Sequence, residues 1–544
     1  MIKILFRRWL TRPSISITGA AAVIAAASFM SRLLGVFRDR VLAGQFGAGE
    51  SLDVYYAAFR VPDLIYNLLI VGALSAGFIP VFVATRKRSQ EGEAEAWRLT
   101  NAFLTTTFVS LLIICALGAI FIKQIVPMVT PGFSSEKTAA VAALSRIMFL
   151  SPLLLGISAV VGGVLQSFRN FFVFSLAPIF YNIGIIIGAL VFVPWLGLTG
   201  LAWGVVLGAA LHLAVQLPAA IRLGWPIGWA WDLRDKGLRS IWRLTVPRTL
   251  SLGVTQMNLL ILTIIASYLA SGSVAVFNLA TNLYMLPVAT VGIAYALAVF
   301  PTLSEKAAMD NWAGFKDSLR ETVQHAFFFI VPSTVLLLLL RAQIVRAVLG
   351  SGAFDWTDTV LTFETLRFLT YSLFAQALIP ILARAFYACQ NTMTPLVVGV
   401  AGDFVTIFFG FVLVGSYGIM GLAAAFSIGS IVQVLGLWLA LRWRVGKLGE
   451  GHLLEALWSF TLAGLVMAFV TQGVKTGLGQ LLGTTTLLDI VLQGGLAGLA
   501  GLITYAAILY LRESEELDEL MASWRWRPAA IEISQEGLDE GEGI

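Results

Sequence analysis

Long apolar runs separated by short polar stretches form the pattern of the whole chain. Breaking it at clusters of charged, Gly/Pro and Asn/Ser/Thr residues leaves about fourteen segments long enough to cross a bilayer as helices. The runs are continuously apolar rather than alternating, which favours helices over a transmembrane barrel. The predicted spans, numbered 1 to 14 in chain order, are residues 17–44, 51–84, 98–122, 138–168, 172–194, 197–221, 238–270, 273–304, 317–341, 358–389, 394–416, 418–443, 453–474 and 485–511.

The composition agrees with this pattern. The 544 residues are 58% hydrophobic and 12% charged, and the mean hydropathy is +0.86, whereas a soluble domain has about 25% charged residues. Lipid is therefore the solvent for most of the chain, which excludes a soluble enzyme, a nucleic-acid-binding domain and a disordered scaffold. Cys115 and Cys389 both lie in apolar stretches, so we expect neither a disulfide framework nor a thiolate metal site.

Basic residues mark one side of the membrane. With fourteen spans both termini lie on the same side, which collects 23 Lys and Arg residues against 5 in the opposite loops. Because cytoplasmic loops are enriched in Lys and Arg, we expect both termini in the cytoplasm. The apolar run from Ile15 to Met30 is interpreted as an uncleaved first span rather than a signal peptide cut near Ala27.

The chain contains an internal repeat. GLTGLAWGVVLG at 197–208 and GIMGLAAAFSIG at 418–429 share three glycines, a leucine and an alanine at a spacing of 221, and Asn170 recurs as Asn391 at the same spacing. Two six-helix units in the same orientation predict a pseudo-twofold axis along the membrane normal, with a substrate site between the units and access that alternates by rocking.

The predicted fold is therefore an all-α integral membrane protein with two six-helix bundles and two further C-terminal helices. The predicted domains are a basic cytoplasmic N-terminus 1–16, an N-lobe 17–221 (spans 1–6), a C-lobe 238–443 (spans 7–12), accessory helices 453–511 (spans 13 and 14) and an acidic cytoplasmic tail 512–544.

Ionisable residues inside spans 1 and 2 are the strongest functional candidates, because a charge in lipid is costly and rare. At about 100° per residue, span 1 presents one face with two guanidiniums and a carboxylate, from Arg32, Arg38 and Asp39. Span 2 carries one polar stripe with a spacing of three or four residues: Asp53, Tyr56, Arg60, Asp63 and Asn67.

These residues divide into two groups of candidates. Arg32, Arg38 and Arg60 are the preferred ligand contacts, since guanidiniums bind phosphate oxygens bidentately. The aspartates Asp39, Asp53 and Asp63 are interpreted as gating or charge-pairing residues. The alternative for the charges of spans 1 and 2 is structural: they lie near helix ends, extend to the lipid headgroups, or form ion pairs that only lock the two helices together.

Candidates outside the first two spans are fewer. Asp403 in span 11 either coordinates a cation or pairs with a basic residue of span 10, and His212 is expected to be hydrogen-bonded within the packing rather than to relay protons. The sequence has no Walker A loop, no HExxH and no Gly-rich turn between strand and helix. We therefore expect a transporter without a bound cofactor, driven by a monovalent cation gradient or the membrane potential.

Several stretches resemble the MurJ/MviN lipid II flippases, within the multidrug/oligosaccharidyl-lipid/polysaccharide exporter superfamily. They are SRLLGVFRDRVLAGQFGAGESLDVYYAAFRVPDLIYNLL, GALSAGFIPVF, LASGSVAVFNLATNLYMLPVATVGIAYALAVFPTLSE and FYACQNTMTP. The resemblance implies outward transport of an undecaprenyl-pyrophosphate-linked peptidoglycan precursor across the bacterial plasma (inner) membrane. It also implies a cationic cavity lined by spans 1, 2 and 8, and a groove for the lipid tail at the last two spans.

By this resemblance, Arg32, Arg38, Asp39 and Asp53 match charged positions of the family, and Arg60 stands where the family has a basic residue.

The chain also departs from the family. Family members often have basic residues at the positions of Tyr66 and Asn67 and an acidic one at Val71. The span-8 Arg of the family's cavity appears here as Asn282, which joins the substrate-binding candidates. The second half has therefore lost cationic character.

The leading hypothesis is a lipid II flippase that works by alternating access. A flippase for another polyprenyl-linked oligosaccharide and a non-transporting membrane scaffold for cell-wall synthesis are the alternatives, while a basic cavity argues against an antiporter of cationic drugs. The predicted partners are a lipid-linked glycan pyrophosphate, membrane lipids and cell-wall synthesis proteins, with no nucleic acid.

Overall fold

The structure is a computed structural model that describes residues 17–71, 77–88, 92–482 and 486–524. Within these ranges the chain is almost entirely helical and has no strand. The helices of spans 1 to 7 are Ile17–Phe46; Glu50–Tyr66 with the π-helical turn Asn67–Val71 and Ile79–Lys87; Gly92–Val129; Ser135–Met148 with Leu150–Ser167; Phe171–Ile187 with Gly188–Phe192 and Val193–Leu196; Thr199–Arg222; and Lys236–Ser267. Those of spans 8 to 14 are Ser273–Pro287 with Val288–Ile293 and Ala294–Ala308; Trp312–Leu339; Trp356–Thr370 with Leu373–Ala388; Met393–Val445, which contains spans 11 and 12; Glu450–Leu482; and Leu487–Leu511.

The span prediction is confirmed by these helices. Nine described helices are each long and apolar enough to cross a membrane, and the pair Trp356–Thr370 and Leu373–Ala388, bent by 47°, makes a tenth. Met393–Val445 holds two spans, because its 53 residues are interrupted by Gly418 at φ 55°. Spans 1, 2 and 7 are helices as well. Two short helices, Arg341–Val348 and Glu515–Trp524, complete the described chain.

The sequence repeat is also a repeat of backbone geometry. After span 4, Arg169 adopts φ 59° and the Asn170 N–H donates to the Leu165 carbonyl at 2.8 Å. The same turn follows span 10, 221 positions later. There Gln390 adopts φ 55°, and the Asn391 N–H donates to the Phe386 carbonyl at 2.9 Å. Both helices thus end in the same left-handed turn.

Small residues repeat because two helices approach closely at equivalent places. A Cβ added to Gly200 would lie 2.5 Å from the backbone of Phe192, and one added to Gly421 would lie 2.5 Å from the backbone of Leu413. These two pairs are again related by 221 positions. Since only glycine allows such an approach, the glycines of the repeat fix the packing of consecutive helices in each half.

The C-terminal helices pack on one side of the second half. Spans 13 and 14 pair with each other, and span 13 also contacts span 9. Between spans 9 and 13 runs an apolar furrow of about 520 Å³. Its walls include Phe327, Val331, Val335, Leu457 and Gly464. The resemblance implied a groove at the last two spans, whereas this furrow is formed by span 13 with span 9.

The structure describes only part of the two ends of the chain. The predicted basic segment 1–16 and residues 525–544 of the predicted acidic tail lie outside the described residues. The described part of the tail forms the helix Glu515–Trp524, whose Leu517 is buried against the cluster that contains Phe328 and Phe460.

Candidate functional site

A polar cavity of about 400 Å³ lies between the first half and span 8. Spans 1, 2, 4, 5 and 6 form most of its wall, and the second half contributes two asparagines of span 8. The lining residues are Arg38, Tyr55, Tyr56, Phe59, Arg60, Asp63, Tyr66, Asn67, Leu155, Pro178, Tyr181, Ile185, His212, Asn278 and Asn282. The predicted polar stripe of span 2 therefore faces this cavity from Tyr56 to Asn67.

Span 2 reaches the cavity with an irregular backbone. Pro62 lies inside its helix and has no N–H to donate to the Ala58 carbonyl one turn earlier. The Ser145 hydroxyl of span 4 donates to that carbonyl instead, at 3.1 Å. Beyond Pro62 the helix widens into the π-helical turn Asn67–Val71, and the Asn67 side chain donates to the Asp63 carbonyl at 2.9 Å. Span 4 thus stabilises the proline-containing segment that carries the polar stripe.

Arg38 is held by neighbours on spans 1 and 5. Its Nε and Nη2 donate to Asp39 Oδ1 at 3.1 and 2.8 Å, and its Nη1 donates to Asn182 Oδ1 of span 5 at 3.1 Å. Asn282 Nδ2 of span 8 donates to the second carboxylate oxygen, Asp39 Oδ2, at 2.8 Å. Asp39 therefore pairs with Arg38 and at the same time joins span 1 to the second half.

Arg60 is less completely engaged. Its Nη2 donates to Asn278 Oδ1 of span 8 at 3.0 Å, while its Nε is buried and has no hydrogen-bond partner among the described residues. Arg60 takes part in none of the ion pairs in the described ranges. Asp63, one turn further along span 2, is exposed to the cavity and also lines a smaller space of about 80 Å³ beside Gln256 of span 7.

Arg32 and Asp403 are among the predicted site residues that do not line the cavity. Arg32 is half-buried on span 1, and its Nη1 has no hydrogen-bond partner in the part of the chain that the structure describes. Asp403 contacts Asn258 of span 7 by a hydrogen bond from the amide, not a basic residue of span 10. The described residues contain no group of three or more His, Cys, Asp or Glu side chains arranged for a metal ion.

Asp53 lies in the first turn of span 2 and contacts the start of span 8. Its Oδ2 accepts a hydrogen bond from the Gly272 N–H at 2.7 Å and its Oδ1 one from the Ala275 N–H at 2.9 Å. Lys137 Nζ is 3.1 Å from Oδ2 and also donates to Ser271 Oγ at 3.0 Å. A buried carboxylate thus caps a helix of the second half and pairs with a buried ammonium of the first.

Further contacts join the two halves at the same end. Near the end of span 1, the Gly44 carbonyl accepts from the Ala353 N–H at 2.7 Å. In the turn between spans 1 and 2, the Ala48 N–H donates to Asp358 Oδ2 at 2.8 Å. Arg40 Nη1 donates to the carbonyl of Ala347, at the end of the helix Arg341–Val348, at 2.6 Å. The halves are therefore closed against each other at the end of the cavity where span 2 begins.

The family of this chain follows from its match to a protein-family model. The family model of the lipid II flippase MurJ matches residues 42–492. The chain belongs to this family. MurJ proteins are transporters and not enzymes, and the chain is accordingly a multi-pass bacterial membrane protein.

Individual MurJ proteins agree over most of their length. The chain is similar to the lipid II flippase MurJ of Burkholderia cenocepacia, with 28% identity over 436 residues, 78% of this chain and 84% of that protein. The probable lipid II flippase MurJ of Vibrio cholerae is 28% identical over 510 residues, 90% of this chain and 95% of that protein.

Solved structures show the same fold. A structure titled as a lipid II flippase MurJ in the inward closed conformation aligns with a TM-score of 0.74 at 23% identity, covering 90% of this chain and 99% of that one. An inward-facing multidrug transporter of the MATE family and MOP superfamily aligns with a TM-score of 0.65 at 16% identity, covering 79% and 99%. The two-bundle architecture is therefore shared with the MurJ structure and with a drug transporter.

Sequence reasoning missed part of this MurJ cavity. Asn182 and Tyr181 lie within the apolar run of span 5, and the signal that could have identified Asn182 is a lone amide in such a run. His212 Nδ1 forms a hydrogen bond with Ser158 Oγ at 2.7 Å. The same Nδ1 lies 3.2 Å from Gln216 Nε2. The hydrogen-bonded packing predicted for His212 is thus present, and the residue also faces the cavity.

The pair Asp53–Lys137 generates a stability prediction. Lys137→Met leaves a buried carboxylate without its cation, and we expect a loss of about 3–5 kcal/mol, seen as a lower unfolding temperature of the purified protein. The exposed Lys123→Met is the control and should change stability by less than about 0.5 kcal/mol. Adding Asp53→Asn to Lys137→Met removes the uncompensated charge and should restore part of the loss. Equal stability of Lys137→Met and the control would show that the pair contributes nothing.

Proposed function

We propose that this chain moves lipid II from the cytoplasmic to the outer leaflet of the bacterial inner membrane by alternating access. The observation that carries the proposal is the cavity between the halves, which places Arg38 and Arg60 beside the amides of Asn278 and Asn282. Membership of the MurJ family supports the substrate. The two-bundle fold supports the mechanism, since such transporters bind at the interface of their repeats.

Arg60 is the first proposed contact for the pyrophosphate. A guanidinium offers five N–H donors in a planar fork, and those of Arg60 are held by a single amide, that of Asn278. A phosphate oxygen that replaces this amide brings a negative charge to the guanidinium and can accept from two of its donors at once. Arg32, which lies off the cavity wall in this conformation, is proposed to join the site when the halves move.

Arg38 is proposed to link substrate binding to movement of the halves. In the structure Asp39 occupies Nε and Nη2 of Arg38, the two donors that a phosphate would use bidentately. A phosphate that takes these donors displaces the Asp39 carboxylate, and a displaced carboxylate loses the contact from Asn282 that joins span 1 to span 8. The substrate thus favours the conformation in which this contact is broken. Asp53 and Asp63 are the remaining proposed gating residues.

The orientation of the cycle follows from the basic residues. We place both termini in the cytoplasm, because the Lys and Arg residues gather in the segments on that side. The closed end, where Asp53 and Asp358 accept hydrogen bonds across the halves, then faces outward. The structure would accordingly represent a state that accepts substrate from the cytoplasmic side.

The driving force is proposed to be a monovalent cation or the membrane potential. Asp403 supplies a carboxylate within an apolar helix, and the adjacent Asn258 has a buried Oδ1 without a hydrogen-bond partner in the described ranges. These oxygens are ligands suited to a hard cation.

A second substrate class is favoured by one feature of the cavity. Tyr66 and Asn67 line it at positions where the family often has basic residues. Hydroxyl and amide groups recognise sugar oxygens as well as phosphates, so another polyprenyl-linked oligosaccharide is the second candidate. Cell-wall synthesis proteins are proposed partners, and a purely scaffolding role is the outcome that the first test below would reveal.

The first prediction concerns rescue of a bacterium depleted of its own lipid II flippase. The wild-type chain should restore growth, whereas Arg38→Ala and Arg60→Gln should not, because each removes a guanidinium from the cavity. Lys123→Met, a charge removal at an exposed residue, should rescue like the wild type. Growth is compared at matched membrane levels of each variant. Rescue by both arginine variants would favour the scaffold, and a well-inserted wild type that gives no rescue would favour another lipid-linked glycan.

The second prediction tests alternating access at the closed end. A Cβ on Gly44 would lie 3.5 Å from the Cβ of Ser351, within the range of disulfides. Oxidation of Gly44→Cys/Ser351→Cys should therefore fasten span 1 to the loop before span 10 and stop rescue, and reduction should restore it. Each single cysteine variant is the control for damage by the substitution alone. Full transport by the oxidised, cross-linked protein would contradict an opening at this end.

A further inference from the structure

The linker between spans 6 and 7, residues 223–235, is fastened to span 3. Asn101 of span 3 accepts at Oδ1 from Trp225 Nε1 at 2.8 Å and from the Gly228 N–H at 3.4 Å. Its Nδ2 donates to the Pro226 carbonyl at 2.8 Å. One asparagine side chain thus holds the start of the segment that connects the two halves.

The linker then continues along span 3 as a non-helical segment. The Ala230 N–H donates to Thr105 Oγ1 at 3.0 Å, one turn beyond Asn101. The ring of Trp229 packs on that of Phe108, with 5.3 Å between centroids. From Asn101 to Phe108 a helix rises about 10 Å. The linker therefore follows span 3 for about two turns toward the middle of its apolar sequence.

Alternate residues of the linker form an exposed apolar stripe. The backbone N–H groups of Gly228 and Ala230 donate to span 3, and large apolar residues alternate with these two positions. These residues are Ile227, Trp229, Trp231 and Leu233, exposed by 44%, 70%, 63% and 55%. Trp229 keeps this exposure although one part of its ring packs on Phe108. Such a stripe is unfavourable in water, whereas tryptophan is enriched where bilayer and water meet.

Exposed basic side chains flank this stripe. They are Arg222, Arg234, Lys236, Arg239 and Arg243. The two acidic residues of the linker accept backbone hydrogen bonds: Asp232 from the Arg234 N–H at 2.9 Å and Asp235 from the Leu238 N–H at 2.7 Å. Basic residues beside an apolar stripe suit a membrane surface with anionic headgroups, which attract Lys and Arg side chains near the bilayer.

We propose that residues 227–233, with the basic residues on either side, are a membrane anchor that binds the anionic lipid surface at the junction of the two halves. The apolar stripe enters the interface of the bilayer while the cations contact lipid phosphates. Because the linker is the covalent connection between the halves, the anchor holds this connection at the bilayer surface while the halves move. The proposal is independent of the substrate of the cavity.

The depth of the linker tests the apolar part of this proposal. In a Cys115→Ala/Cys389→Ala background, spin labels are placed through Trp229→Cys, Trp231→Cys or Asp232→Cys, and the full chain is reconstituted in bilayers that contain phosphatidylglycerol. Labels at 229 and 231 should collide with oxygen dissolved in lipid, and the label at 232 with a water-soluble nickel complex. Equal exposure of all three to nickel, or shielding of 229 and 231 from both reagents as by a protein partner, would overturn the proposal.

The headgroup preference tests the charged part. Phosphatidylglycerol should raise the unfolding temperature of the detergent-purified wild type more than phosphatidylcholine does, and Arg234→Gln/Lys236→Gln should lose at least half of that difference. Lys87→Gln/Arg88→Gln removes two exposed cations elsewhere on the chain and should keep most of it. The same rise with either lipid, or the same loss in both variants, would contradict a specific site at the linker.

Discussion

Burying an ionised side chain among apolar helices is costly, and this cost determines how the polar residues at the centre of the protein are paired. The two buried aspartates of spans 1 and 2 have both carboxylate oxygens engaged: Asp39 by Arg38 and Asn282, and Asp53 by Lys137 and the first N–H groups of span 8. Span 8 contributes to both sets, so the interactions that compensate these charges also hold the halves together. Movement of the halves therefore requires replacement partners, and a phosphate-bearing headgroup provides one for Arg38.

The two halves share a backbone plan and differ in chemistry. The glycines and helix ends related by 221 positions give both bundles the same helix packing. The ionisable lining of the cavity nevertheless comes from the first half, and span 8 supplies only the amides of Asn278 and Asn282. An amide can accept from an arginine and donate to a carboxylate, as these two do, without adding charge in lipid. The second half can thus form hydrogen bonds with the first without contributing a cation.

Much of this architecture could be predicted from the sequence, because hydropathy and small-residue repeats report directly on spans and their close packing. The polar stripe of span 2 and the pairing role of Asp39 and Asp53 followed from helical spacing. The partners across spans could not be predicted, since Asp39 and Asn282 lie 243 positions apart and their contact depends on how each helix is rotated. For the same reason Arg32, on the predicted charged face of span 1, lies off the cavity. The course of the linker along span 3 likewise depends on contacts between residues more than 120 positions apart.

The central claim, that the lipid II headgroup enters the cavity between the halves, is tested most directly by photocross-linking in living cells. A photoreactive phenylalanine analogue replaces Tyr66, which lines the cavity, or Phe404, which is exposed on span 11. Both variants are first required to support growth of a flippase-depleted strain. The account predicts that illumination attaches lipid II to position 66 and not to position 404. Equal attachment at the two positions, or none at position 66 in a functional protein, would contradict it.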